Sequence, residues 1–146
     1  MDEEKRALIE PNAAPTIERM KMLREFNKIG CKTSVLFMPI IPYISDGEIN
    51  LDEIFRLTKE YNLGPINAWP LHLRGKTKGV FHSFLRGHFP ELLPRYKSLY
   101  KYGSVSDKYR VGLQKRVRGL RDKYQLYSQY RPTQPKNIGP VQLSLF

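Results

Sequence analysis

The chain has 146 residues and a formal net charge of +11 at pH 7. This length fits one domain with a hydrophobic core and is too short for us to expect two independent domains. No apolar run approaches the roughly 20 residues of a membrane-spanning helix, and the charged opening MDEEKR is not followed by the apolar segment of a secretory signal. Cys31 is the single cysteine, so no internal disulfide can form. We therefore expect a cytoplasmic protein with no membrane partner.

The positive charge is concentrated in the last third of the chain. Between Met1 and Pro94, 13 Lys and Arg face 12 Asp and Glu, whereas between Arg95 and Phe146, 12 Lys and Arg face only 2 Asp. This step predicts a nearly neutral α/β body over 1–94 and a basic helical extension over 95–130. A Pro-rich tail over 131–146 follows as an extended linker.

The body opens with a helix and a buried strand. Pro15 suits the first turn of a helix, and Gly30 is a suitable residue to end it. The apolar stripe of this helix consists of Ile17, Met20, Leu23 and Phe26. The apolar, β-branched run that starts at Thr33 is typical of a buried strand, and Pro39 and Pro42 predict that it ends near Met38. In parallel α/β sheets, ligands bind beyond the carboxyl ends of the strands. The loop 39–46 is therefore the expected place for a site.

A second helix and strand follow that loop. Asn50, with Glu53 three residues later, predicts an N-cap, and the helical stripe ends around 62–64. The run 65–73, PINAWPLHL, predicts a second strand. The string RGKTKG at 74–79 then has two readings, an anion contact or a solvated loop. Two short helices, 80–89 and 92–102, are separated by Pro90.

The longest predicted helix spans Asp107 to Tyr130. It carries an apolar seam that needs a partner surface, formed by Leu113, Val117, Leu120, Tyr124 and Tyr127. Most of its cations fall elsewhere on the helix: Lys115, Arg116, Arg118, Arg121 and Lys123. With the many tyrosines of the last third (Tyr96, Tyr100, Tyr102, Tyr109, Tyr124, Tyr127 and Tyr130) they predict either a nucleic-acid surface or a basic helix packed on the body.

The residues do not make up a complete catalytic site. An iron-sulfur cluster needs three or four thiolates, and the chain has one. His72, His82 and His88 lack the close spacing of a zinc site, and Cys31 precedes a strand, where a nucleophile is not expected. We therefore expect that this chain alone is not a complete enzyme.

The last residues, QLSLF, suggest a peptide that binds a partner. The string resembles the pentapeptide with which bacterial polymerases and repair proteins hold the sliding clamp, and its contact residues would be Gln142, Leu143, Leu145 and Phe146. The alternative is a hydrophobic strap that docks on the chain's own body.

Several short strings occur in the order found in one enzyme family. They are Glu10 and Pro11, PTIER at 15–19, Gly30, PIIP at 39–42 with Asp46, LHLR at 71–74, Phe84 and Leu85 with Phe89 and Pro90, and the terminal QLSLF. Together they resemble the carboxyl half of radical SAM proteins, most closely the group related to spore photoproduct lyase. The resemblance covers most of the chain from Glu10 to about Tyr102, and the terminus.

The resemblance implies a partial TIM-like (β/α) barrel, of which this chain would supply the last two βα units. In the family these units help to hold S-adenosylmethionine, at positions that correspond here to Pro39, Ile40, Ile41, Pro42, Leu71 and His72. The family often has Arg where His72 stands and Pro where Arg74 stands, so the second strand departs from the pattern.

The same resemblance implies a division of labour between two halves. The cluster motif of three cysteines lies after the family's first strand and is absent here, so the 4Fe-4S cluster would belong to an amino-terminal half, in the same gene or a separate chain. This chain would close the barrel and line part of the cofactor and substrate side without catalysing alone. The alternative is a non-enzymatic module that binds nucleic acid and a sliding clamp.

Overall fold

The computed structural model describes residues 2–127 of the chain. Tyr130 and the QLSLF residues lie outside the described residues, so the predictions for them stay predictions. The described part is a mixed α/β fold with eight main elements in the order α1 (Glu3–Ile9), α2 (Thr16–Lys28), β1 (Val35–Ile40), α3 (Glu48–Glu60), β2 (Ile66–Pro70), α4 (Gly75–His88), α5 (Leu93–Leu99) and α6 (Asp107–Tyr124). A 3-10 turn at Pro90–Leu92 precedes α5. The boundary suggested by the charge step, between Pro94 and Arg95, lies within α5.

The two strands pair in parallel, with Val35 opposite Ile66 and Ile40 opposite Pro70. The prediction that β1 ends near Met38 is wrong, because the strand continues through Pro39 to Ile40. Proline cannot donate a ladder hydrogen bond, and the register of the pair shifts between Phe37 and Ile40. An irregularity of this kind lets a strand pass a proline without losing its partner.

Two helix starts differ from the sequence predictions. Gly47, not Asn50, is the N-cap of α3, and Asn50 instead donates a hydrogen bond from Nδ2 to the carbonyl of Ser45 at 2.8 Å. The RGKTKG string is not a loop, because α4 begins at Gly75. Gly75 takes φ +53°, a left-handed conformation that glycine adopts without strain, and the chain turns there directly into the helix.

A first core lies between one face of the sheet and helices α2, α3 and α6. Its buried side chains include Met20 from α2, Phe55 from α3, Ile66 from β2, and Leu113 with Val117 from α6. The predicted seam of α6 is thus confirmed for four of its members, since Leu120 and Tyr124 also pack against this core. Tyr127 is the exception, because the helix ends at Tyr124 and Gln125 turns into the left-handed region.

A second core closes the fold beyond the carboxyl ends of the strands. It contains Ile41 from the loop after β1, Leu73 from the segment after β2, Leu85 from α4, and Tyr96 with Tyr100 from α5 and its end. The partly buried Tyr109 packs against both cores. The second core therefore fixes the two loops that follow the strands.

Within residues 2–127, the other face of the sheet is left open. Leu36, Met38 and Trp69 are 61%, 46% and 48% exposed, because side chains alternate between the two faces of a strand and only one face meets the helices. Among the described residues each strand has a single neighbour, so each leaves one edge unpaired. None of the described helices combines the length and apolar character needed to cross a membrane.

Candidate functional site

The structure brings together the two segments that the family resemblance assigns to one site. The first segment contains the last two residues of β1 and the start of the loop after it, and the second follows the end of β2. The backbone N–H of Leu71 donates to the carbonyl of Ile40 at 2.8 Å. Pro39 to Pro42 and Leu71 to His72 therefore form one continuous edge above the sheet. A bound ligand could touch both segments at once.

The six predicted residues differ in what they offer to a ligand. Pro39 and His72 are exposed and Leu71 is half-buried, whereas the side chains of Ile40, Ile41 and Pro42 are buried. The carbonyls of Ile41 and Leu71 already accept hydrogen bonds, from the Ser45 N–H at 2.8 Å and the Tyr100 hydroxyl at 2.8 Å. Pro39 and His72 can therefore contact a cofactor through their side chains, whereas the buried residues can contact it only through their backbone.

Two buried tyrosines hold these loops in place. The Tyr96 hydroxyl donates to the Pro42 carbonyl at 2.5 Å, and the Tyr100 hydroxyl bonds Leu71 as described above. The two rings stack with centroids 5.6 Å apart. Burial raises the pKa of both tyrosines well above its usual value, so both hydroxyls keep their protons and remain donors. For these two tyrosines the packing interpretation is confirmed.

Asp46 joins the loop after β1 to α6. Its carboxylate accepts a hydrogen bond from the Tyr43 backbone N–H at 2.7 Å and one from the Tyr109 hydroxyl at 2.6 Å. Arg116 donates to the Asp46 carbonyl at 2.7 Å and lies 3.5 Å from the carboxylate. Burial and the Asp46 carboxylate raise the pKa of Tyr109. The spacing in the sequence gives no sign of this cluster, because the partners lie 63 and 70 residues apart.

The five cations that predicted a nucleic-acid surface on α6 have different surroundings. Arg116 binds Asp46, Arg121 donates to the Ile66 carbonyl at 2.9 Å, and Lys123 pairs with Asp52 at 2.6 Å. The remaining two, Lys115 and Arg118, are exposed. Three of the five therefore fasten α6 to the body, and only the other two of this set are exposed to a partner.

The residues that could bind a metal lie apart in the described part of the chain. Cys31 is exposed and precedes β1, at the opposite end of the strand from the candidate site. Across residues 2–127, no three His, Cys, Asp or Glu side chains come together as a metal site would require. The donor set of this chain does not fit a 4Fe-4S cluster, which takes three or four thiolates.

The comparisons with known proteins give relatives that are much longer than this chain. The chain is 32% identical over 132 residues to proteins named "Uncharacterized protein Rv2578c" in Mycobacterium tuberculosis and "Uncharacterized protein Mb2609c" in Mycobacterium bovis. The match covers 88% of the chain but only 39% of each relative. No protein-family model and no solved structure matches the chain.

Proposed function

We propose that this chain acts as the carboxyl-terminal portion of a radical SAM enzyme, closing a partial barrel and lining part of the cofactor and substrate side. The observation that carries the proposal is the open face of the sheet. Leu36, Met38 and Trp69 expose large apolar surfaces side by side, whereas parallel sheets are ordinarily covered on both faces. Such a face needs further protein to cover it.

The edge of β1 that has no partner strand among the described residues offers a place for that further protein. A hollow of about 280 Å³ runs between α1, α2 and this edge, lined in part by Leu23, Val35 and Phe37. A two-stranded sheet is marginal without further strands, and a parallel strand laid along this edge would bury the hollow and continue the sheet. In a barrel, the open face would then line the interior.

The length of the mycobacterial relatives supports the same proposal. The matched part covers 39% of each, so about three fifths of each relative lies outside the match. That remainder is long enough to supply the other strands and the cluster cysteines of the resembled family. The 4Fe-4S cluster and most of the S-adenosylmethionine site would therefore belong to that part.

The role proposed for this chain's own residues is to position S-adenosylmethionine at the carboxyl edge of the sheet. Pro39 and His72 supply the exposed contacts, and Tyr96, Tyr100 and Asp46 fix the loops beside them. The His72 ring Nδ1 lies 3.3 Å from the Ser104 hydroxyl, which orients the imidazole. Because the family often has Arg here, His72 is the residue whose substitution is most informative.

The test is reconstitution under anaerobic conditions with a partner that carries the three-cysteine motif, taken first from the protein encoded immediately upstream. We expect cleavage of S-adenosylmethionine to rise when this chain is added, and His72→Ala to raise the concentration of S-adenosylmethionine needed. His88→Ala, also exposed, is the matched control. A cluster-loaded partner whose cleavage rate and affinity are unchanged by this chain would overturn the proposal.

A second candidate is a non-enzymatic module that binds nucleic acid and, through QLSLF, a sliding clamp. It is favoured by the eight Lys and Arg between Arg74 and Lys108, none of which lies within 4 Å of a carboxylate in residues 2–127. Deleting the basic third would be a poor test, because Leu113 and Val117 belong to the first core. Point substitutions are needed instead.

For the clamp contact, Leu145→Ala with Phe146→Ala should abolish binding to a purified sliding clamp.

A further inference from the structure

A wide hollow opens between the loop after β1, α5 and the start of α6. It measures about 880 Å³, and five of its lining residues are aromatic or cationic: Tyr43, Arg95, Lys101, Tyr102 and Lys108. We call this space the tyrosine hollow. It adjoins the candidate site, because Ser104, another of its lining residues, contacts the His72 ring.

The two aromatic rings of the tyrosine hollow are available to a partner. Tyr102 is 92% exposed and Tyr43 is 42% exposed. Tyr43 takes φ +63°, a conformation that is unfavourable for a bulky residue and that points to a functional constraint when the surroundings enforce it. The surroundings of Tyr43 enforce this conformation, because its ring packs edge-on against Tyr96 and Tyr109. The centroid of the Tyr43 ring lies 6.1 Å from that of Tyr96 and 6.3 Å from that of Tyr109. The ring is therefore held in place before any ligand arrives.

Among residues 2–127, the cations of the tyrosine hollow have no acidic partner of their own. Arg95, Lys101 and Lys108 all lie more than 4 Å from every carboxylate in the described part of the chain. The Arg95 guanidinium instead lies 5.6 Å from the centre of the Tyr43 ring. Asp107 is the acidic residue among the lining residues, and it pairs with Arg110 at 2.6 Å. The lining thus keeps a net positive charge beside two exposed rings.

We propose that the tyrosine hollow binds single-stranded nucleic acid, with Tyr43 and Tyr102 stacking on bases and Arg95, Lys101 and Lys108 meeting phosphates. Exposed aromatic rings beside cations are the combination that holds single strands, whereas a duplex presents phosphates but keeps its bases stacked. An anionic membrane would favour exposed aliphatic side chains, yet the aliphatic lining residues Leu99 and Val105 are buried. The proposal deepens the second candidate function and does not require the radical SAM one.

The test measures binding of the full chain to a fluorescently labelled oligothymidylate of about 12 nucleotides, within the usual range for a single-strand site. We expect Tyr102→Ala to weaken binding about tenfold, because stacking on an exposed ring is lost. The double variant K101A/K108A should lower the slope of log affinity against log salt by roughly 1.4, since each phosphate contact on a single strand contributes about 0.7. The matched control is K115A/R118A on α6, which removes the same charge from exposed positions.

The outcomes separate the proposal from its rivals. Stronger weakening by K101A/K108A than by K115A/R118A, together with the Tyr102 effect, supports the tyrosine hollow. Equal weakening by both pairs, equal affinity for duplex, or binding to anionic vesicles without binding to the oligonucleotide would overturn it. Circular dichroism of each variant verifies that the fold is retained. Reconstituted cleavage of S-adenosylmethionine is measured separately, so failure of one proposal leaves the other standing.

Discussion

The cations of residues 2–60 and those of residues 74–108 have different surroundings. In the first region, seven of nine Lys and Arg lie within 4 Å of a carboxylate: Lys5, Arg6, Arg19, Lys21, Arg24, Lys28 and Arg56. In the second region, none of the eight does within the described residues. The difference arises because the chain carries a single acidic residue, Glu91, between Tyr61 and Ser106.

This difference concerns function more than stability. Exposed ion pairs contribute little to folding, so the first region gains little from its pairs, but the pairs cancel its electrostatic field. The positive electrostatic field of the second region is not cancelled, and this region surrounds the carboxyl ends of the strands. A partner with negative charge would therefore be drawn to the candidate site rather than to the helices of the first region.

The link between the two regions is α6, and breaking it should have the largest effect. Leu113 is 1% exposed in the first core, while Tyr109, one turn earlier, packs against both cores. Leu113→Ala should lower the free energy of unfolding by about 2–5 kcal/mol, the usual cost of a cavity in a core. Val111→Ala, on the exposed side of the same helix, should cost far less. Urea unfolding measures both, and equal effects would contradict the docking of α6.

The hydrogen bond between Tyr109 and Asp46 should come next. Tyr109→Phe keeps the ring but removes a donor from a buried carboxylate, so we expect a loss of about 1.5–3 kcal/mol, typical of hydrogen bonds to charged groups. Tyr127→Phe is the control, because its hydroxyl bonds the exposed Asp122 at 3.0 Å. If the two variants unfold at the same urea concentration, Asp46 does not hold the loop as described.

The second region should also respond to pH through His82. Burial, together with the positive charges of Lys78 and Lys97, holds the pKa of His82 below its ordinary 6.5, and its Nε2 has no hydrogen-bond partner in the described part. Because the unfolded chain takes up the proton first, stability should fall as the pH drops below about 6.5. His82→Phe should flatten this dependence in urea titrations from pH 7.5 to 5. His88→Gln, at an exposed position, should retain it.

The smallest effect is expected from the ion pairs of the first region. Arg56 contacts both Glu53 and Glu60 on the exposed side of α3. Arg56→Ala should leave the urea midpoint within experimental error, because exposed pairs contribute little. A clear fall in the midpoint would mean that the pairs of this region stabilise the fold, and the difference between the two regions would then concern stability as well.

The elements that the sequence predicted well are those with a strong local signal. The apolar run of β1, the seam of α6 and the parallel order of helices and strands all follow from short-range periodicity. The charged segment α1 was not predicted, because it lacks an apolar stripe. Its place depends on contacts that follow from the fold, such as the Arg6 guanidinium on the Ala13 carbonyl at 2.8 Å.

The parts that sequence reasoning missed depend on contacts between distant residues. The sequence places Gly64 at the end of a helix, yet a Cβ there would lie 2.0 Å from the Thr33 carbonyl oxygen, so the close approach of the segment that leads into β1 requires glycine. The hydroxyl of Tyr96 meets the Pro42 carbonyl across 54 residues. No local pattern separates this tyrosine from the exposed Tyr102, and only packing assigns one to the core and the other to the surface.

We propose that a partner carrying the remaining strands of the barrel covers the open face of the sheet. Trp69 is the only tryptophan of the chain and lies on that face, so its fluorescence reports the covering directly. When the cysteine-bearing partner is added, we expect a blue shift of its emission and weaker quenching by acrylamide, while Leu36→Glu on the same face should prevent both. Unchanged emission and quenching beside a folded, cluster-loaded partner would contradict the claim.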